Sequence, residues 1–175
     1  MKKTLVIFAL TSASVFSPVA LADRGNEIDA LVKFNGGIGS QPFASGAGGV
    51  PIPNDVKGVP PGGRPWPIGA LKATVGVDGS ISVKGKGMIL GGGANVGRPA
   101  IPRQVAATLF CGDVAMNSAP TDLDAAGNFT ISGALSAVPP NPCVAPILLI
   151  RNFAGSAPGP WFAAGIPKVG ERDDD

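Results

Sequence analysis

An antiparallel all-β fold is what this sequence predicts: a sandwich of about seven strands, immunoglobulin-like or transthyretin-like, with a β-barrel as the alternative. Three observations predict it. Beyond residue 67, apolar and polar residues alternate with period two. Two short loops carry a glycine where a three-residue hairpin turn needs one. Outside the leader, no window of about eleven residues keeps a helical period without glycine or proline.

The chain opens with Lys2 and Lys3, an apolar run over 5–16, and the small-residue site Ala20-Leu21-Ala22. Basic, apolar and small residues in that order make a cleavable bacterial signal peptide over 1–22, with Asp23 as the first mature residue. About twelve apolar residues, interrupted by Thr11, Ser12 and Ser14, fall short of the roughly twenty that span a bilayer. No cysteine follows the small residues, so a lipoprotein anchor is not expected. Later apolar runs such as 144–150 are also too short, so no membrane insertion is expected. The expected location is secreted or periplasmic.

Cleavage after residue 22 of 175 leaves about 153 residues, enough for one domain with a core. Losing Lys2 and Lys3 takes the basic count from 14 to 12, equal to the 12 acidic residues. A near-neutral mature chain lacks the basic footprint of a nucleic-acid binder. Arg98, Arg103, Arg151 and Lys168 are the cations that a fold could bring together, but scattered single charges usually form a solvated surface.

The stretch 23–67 holds a short strand and a Gly/Pro-rich strap. Ala30-Leu31-Val32-Lys33-Phe34 reads as the strand, with Leu31 or Val32 facing inward. Over 35–69 glycine and proline supply nearly half the residues, which excludes helix. A flexible linker is one reading. A strap attached through Phe43, Ile52, Val56 and Trp66 is the favoured one, because flexible linkers rarely carry so many large apolar residues.

The sandwich is expected over 68–170, before a polar tail at 171–175. Leu71, Ala73, Val75 and Val77 alternate with Lys72 and Thr74, and Ile81 and Val83 alternate with Ser80, Ser82 and Lys84. A two-residue Asp78-Gly79 loop would mix the faces by setting Val75 opposite Ser82. A three-residue loop, Val77-Asp78-Gly79, sets Val75 opposite Ile81 and Ala73 opposite Val83, with Gly79 at the left-handed position. By the same logic the loop Ala125-Ala126-Gly127 sets Leu123 opposite Phe129 and Thr121 opposite Ile131. Between these hairpins Val105, Ala107, Leu109 and Cys111 share a strand face, with Thr108 on the other. Residues 146–151 read as a buried strand, and 161–166 as the last one.

Cys111 and Cys143 belong to a chain sent to an oxidising compartment, where the expectation is a disulfide. Closing a loop of about 33 residues contributes roughly 3 to 4 kcal/mol in the chain-entropy model. Neither cysteine has the C-x-x-C spacing or adjacent histidine of a reactive thiol.

The chain contains no histidine. Ser-His-Asp and Cys-His catalysis are therefore excluded, and the commonest ligand of zinc, copper and iron is missing. Asp122, Asp124, Gly127 and Asn128 resemble a calcium loop only faintly, because Asp, Gly and Asn are also turn residues. As an acid and base pair, Asp122 and Asp124 lack any feature that would separate their environments. Gly91-Gly92-Gly93-Ala94-Asn95-Val96-Gly97 has neither a P-loop ending nor dinucleotide spacing, and reads as a long flexible loop. Asn128-Phe129-Thr130 fits the glycosylation triplet, but a bacterial leader and a strand-entry position argue against modification. No cofactor or metal is expected. Trp66 and Trp161 form a ligand surface if exposed, whereas packing on their flanking prolines would place them in the core rim.

Several runs together resemble a group of small exported bacterial proteins: Phe34-Asn35-Gly36-Gly37-Ile38-Gly39, Arg64-Pro65-Trp66, 71–93, 105–111, 123–131, Pro142-Cys143 with Ile147-Leu148-Leu149-Ile150-Arg151-Asn152, and Trp161-Phe162-Ala163-Ala164-Gly165. The resemblance implies a similar fold and brings no activity, cofactor or catalytic residue with it. Leu123-Asp124-Ala125-Ala126-Gly127-Asn128-Phe129 is also similar to the turn of transthyretin-like and carboxypeptidase-regulatory-like sandwiches.

These readings make the expected protein a non-catalytic, exported binding or envelope module whose partner is a protein or polysaccharide. Two alternatives belong to other classes. One is a secreted hydrolase recruiting Asp113, Asp122 or Asp124, and the other a structural envelope protein that self-associates through uncovered sheet edges.

Overall fold

The computed structural model describes residues 29–99 and 103–168. The leader, the expected mature start at Asp23 and the tail at 171–175 lie outside the described residues. Among the described residues eleven strands follow one another: β1 (Ala30–Gly39), β2 (Phe43–Ser45), β3 (Pro51–Pro53), β4 (Ala70–Gly76), β5 (Ser80–Lys86), β6 (Gln104–Cys111), β7 (Val114–Asn117), β8 (Thr121–Asp122), β9 (Phe129–Ala134), β10 (Ile147–Ala154) and β11 (Ala157–Pro167). The fold is all-β, as expected.

Nine of these strands make one antiparallel sheet in the order β7-β6-β10-β11-β1-β4-β5-β9, with β8 added beside β6. The sheet curls into a half-barrel. Its two ends meet at a bridge between Ser118 and Leu135, beside which the Ser136 amide donates to the Asn117 carbonyl at 2.8 Å. A two-sheet sandwich is not confirmed, because the ladders run through one continuous sheet whose curl gathers the inward side chains into a common core.

The alternation decides which side chains fill the curl. Phe34, Leu71, Val75, Val83, Leu109, Leu148 and Ile150 are buried in one cluster, together with Val105, Ala107 and Cys111 of β6. The first hairpin has the expected register, with Ala73 opposite Val83 and Val75 opposite Ile81. Gly79 takes φ +85°, the left-handed value its turn position requires. Asp78 closes the turn by accepting the Ser80 amide at 2.8 Å.

The second hairpin is half as expected. Its turn forms: the Asp124 amide donates to the Asn128 carbonyl at 2.9 Å, and Gly127 takes φ +77°. The ladder beyond it does not. Thr121 pairs with Val105 of β6, while β9 pairs with β5 and sets Ile131 opposite Val83. The reason is topological: this turn crosses between the two ends of the curled sheet, so the chain on each side joins a different neighbour.

β1 runs to Gly39, further than its expected five residues, and is the hinge of the topology between β11 and β4. Phe34 is its fully buried residue, with Val32 packed against the same cluster. A bulge between Phe34 and Gly37, where Gly36 takes φ +103°, shifts its register against β11.

The strap is ordered and crosses the outer face of the sheet. Val59 is buried with Phe110, Leu149 and Trp161, and Val56 packs on that group. Backbone bonds fix it, with the Trp161 amide donating to Pro60 and the Gly62 amide to Trp161, both at 2.9 Å. Of the expected attachment points, Val56 and Trp66 hold. Phe43 and Ile52 do not, being 64% and 45% exposed on the separate β2–β3 hairpin. That hairpin is too narrow to cover its own side chains, and Val59 makes the attachment instead.

Cys111 and Cys143 are joined by a disulfide. It ties the inward end of β6 to the loop before β10 and is compatible with an extracytoplasmic location. Among the described residues no helix is long and apolar enough to cross a membrane.

Candidate functional site

Five separate stretches of chain meet at one end of the half-barrel. The strap reaches the end of β1 there, with the Trp66 amide donating to the Ser40 carbonyl at 2.9 Å and the Ser40 amide donating to the Phe162 carbonyl at 2.8 Å. These bonds set the Trp66 ring on that of Phe162, with centroids 4.1 Å apart and an interplanar angle of 22°. Such stacking is favourable beyond the area it buries. The Arg103 guanidinium carbon lies 5.3 Å from each ring centroid. Arg103 also donates to Asn152 Oδ1 at 2.6 Å. Burial lowers the Arg103 pKa below its ordinary value, which leaves an arginine fully charged at neutral pH.

These groups border a cleft of about 440 Å³. Trp66, Leu90, Pro160 and Phe162 supply its apolar lining, and Arg64, Asn95, Arg103 and Asn152 its polar groups. Among the described residues no carboxylate lines it. Gly62 and Gly63 form one rim. A side chain at Gly62 would collide with Trp66 and Phe162, whereas at Gly63 nothing lies within 4 Å. A neighbouring hollow of about 610 Å³ shares Arg103 and Asn152 and adds Gln104, Asp122 and Phe153.

The glycine-rich loop contributes Asn95, and it is more ordered than the flexible loop expected. Gly91 donates to the Pro65 carbonyl at 2.8 Å, Gly97 to Leu90 at 2.8 Å, and Arg98 to Asn95 at 3.1 Å. The loop thus docks on the strap rather than hanging free.

Both tryptophans of the expected ligand surface are 3% exposed. Trp66 borders the cleft from within the core. Trp161 lies on the opposite face of β11, beneath the strap, where its Nε1 donates to the Asn54 carbonyl at 3.0 Å.

The candidate cations are dispersed. Arg151 donates to the carbonyls of Gly159 and Pro158, both at 2.7 Å, and Lys168 continues the chain beside Lys33. The candidate carboxylates are equally separate. Asp113 pairs with Lys57 at 3.1 Å, Asp122 accepts from Gln104 at 3.0 Å, and Asp124 accepts the amides of Ala126 and Asn128 at 2.8 and 2.7 Å. Hydrogen bonding, first from the Asn128 backbone, lowers the Asp124 pKa. Asn128 Oδ1 accepts from the Gly87 amide at 3.2 Å, so this side chain locks the turn to β5. Among the described residues no three metal-ligating groups cluster.

Sequence reasoning missed Arg64, Asn152 and Phe162 as members of one site. Phe162 adjoins Trp161 and Arg64 lies two residues before Trp66, but stacking across 96 positions between Trp66 and Phe162 has no sequence signal. Comparison with known proteins finds no matching family model, no matching curated protein and no matching solved structure.

Proposed function

We propose that this is an exported, non-catalytic binding module that takes a compact ligand into the cleft at the end of the half-barrel. The ligand is a ring, sugar or aromatic, that carries an anionic group and is presented by a polysaccharide or protein partner. The observation that supports this reading is the Arg103 guanidinium held over the stacked Trp66 and Phe162 rings, beside a cleft with a second arginine, two amides and, among the described residues, no carboxylate. Buried aromatic and arginine anchors of this kind carry most of the binding energy at recognition sites. An ammonium or guanidinium that is partly desolvated also selects strongly for negative charge.

Gly63 offers the test. A Cβ at Gly63 meets nothing within 4 Å, so Gly63→Trp has room to branch into the cleft mouth and the fold should survive. The mature domain is screened on an array of acidic and neutral glycans and short peptides, in wild-type and Gly63→Trp forms. Ligands bound by the wild type and lost at least tenfold in the variant support the cleft. Equal binding by both forms overturns it. Export is tested separately, by mass spectrometry of extracytoplasmic material for a chain starting at Asp23.

A further inference from the structure

The outer face of β1, β4 and β5 carries a separate concentration of charge. Lys33, Lys72 and Lys84 point outward from three adjacent strands because Phe34, Leu71, Ala73 and Val83 occupy the inward positions. Together with Lys168 they line a hollow of about 300 Å³, which shares no lining residue with the cleft described above. Lys72 and Lys84 are register partners, directly opposite one another. Like charges so placed disfavour the pairing they sit on. Among the described residues Lys33, Lys72 and Lys84 have no ion-pair partner, and no carboxylate lines the hollow.

Between the ammonium groups lie Asn35, Thr74 and Ser82. Asn35 faces Lys72, Lys33 faces Thr74, and Thr74 faces Ser82, so charged and neutral hydrogen-bonding groups interleave across the sheet. We propose that this face is a docking site for an acidic polysaccharide, a chain that itself alternates anionic groups with hydroxyls. The interleaving is what favours a saccharide chain. Single-stranded nucleic acid would want aromatic platforms among the cations, and a membrane-inserting surface would want exposed apolar anchors. The lining has neither: its one aromatic, Phe34, is 2% exposed and faces the core.

The mature chain is tested by biolayer interferometry against dextran sulfate and alginate, with neutral dextran, vesicles rich in phosphatidylglycerol and oligo-dT as the other arms. Binding to the two acidic polysaccharides and not to neutral dextran is expected, weakening by roughly an order of magnitude between 50 and 200 mM salt as about three cations release their counterions. Lys72→Gln/Lys84→Gln should fold normally, since it removes opposed like charges, and should bind at least tenfold more weakly. Lys57→Gln, remote from the hollow, should bind as the wild type does. Undiminished binding by the double variant overturns the proposal, as does wild-type binding confined to vesicles or oligo-dT, or no binding to the acidic polysaccharides. Gly63→Trp should leave this interaction intact, which separates its failure from that of the cleft.

Discussion

Gly85 of β5 faces Phe129 of β9, and the phenyl ring occupies the space that a Cβ at Gly85 would need. This pairing places the β9 end of the sheet, so the glycine is a packing requirement rather than a turn. Gly85→Ala should therefore destabilise the fold by about 1–3 kcal/mol through overpacking. Urea unfolding followed by tryptophan fluorescence would measure it. An unchanged midpoint would mean that the ring moves aside freely.

The disulfide between Cys111 and Cys143 closes a long loop across the connection to β10. Replacing both cysteines by alanine should cost roughly 3 to 4 kcal/mol on the chain-entropy account. Thermal unfolding of the wild type should show a matching fall when reductant is added. The double variant should be insensitive to reductant.

A buried side-chain donor, Trp161 Nε1, adds to the backbone bonds that hold the strap. Trp161→Phe keeps the ring packing on Val59 but removes the bond from Nε1 to the Asn54 carbonyl. A loss of about 1 kcal/mol is expected, together with faster proteolysis within 54–62. Mapping the first cleavage by mass spectrometry distinguishes local loosening of the strap from global unfolding. Cleavage unchanged in site and rate would show that Val56, Val59 and the backbone bonds hold the strap without the indole donor.

Asp124 gives the fold a pH dependence of defined sign. Its pKa is lowered below the ordinary 3.8, chiefly by the Asn128 backbone amide. The folded state therefore binds this proton less readily than the unfolded chain does. The stabilisation is present above the unfolded value and is lost as pH falls through the folded one. Thermal unfolding from pH 7 down to pH 2 should show wild type and Asp124→Ala converging in the acid range. A difference that persisted unchanged to pH 2 would rule out the carboxylate as its source.

What was legible in the residues was local. Val77-Asp78-Gly79 and Ala125-Ala126-Gly127 specify their turns because a left-handed glycine is needed within a few positions of each closing pair. Alternation likewise aimed Cys111 and its neighbours inward, since a strand's side-chain period needs no partner to define it. The outward lysines at 72 and 84 followed from the same rule, whereas the side taken by Lys33 stayed open between an inward Leu31 and an inward Val32. Convergence of the three did not follow, because it depends on β1 lying beside β4.

Tertiary structure alone decided which edges meet. The pairing of β8 with β6 and of β9 with β5, the insertion of β1 between β11 and β4, and the Trp66–Phe162 stack all join segments distant in the chain. Such contacts are selected by how one curled sheet can bury its inner face, a property of the whole chain that no short window contains. The sequence by itself determined the strand character, the turn conformations, the inward face and the absence of histidine chemistry. The half-barrel, the cleft at its end and the lysine-lined hollow on its flank arose only when long-range pairing chose the neighbours of each strand.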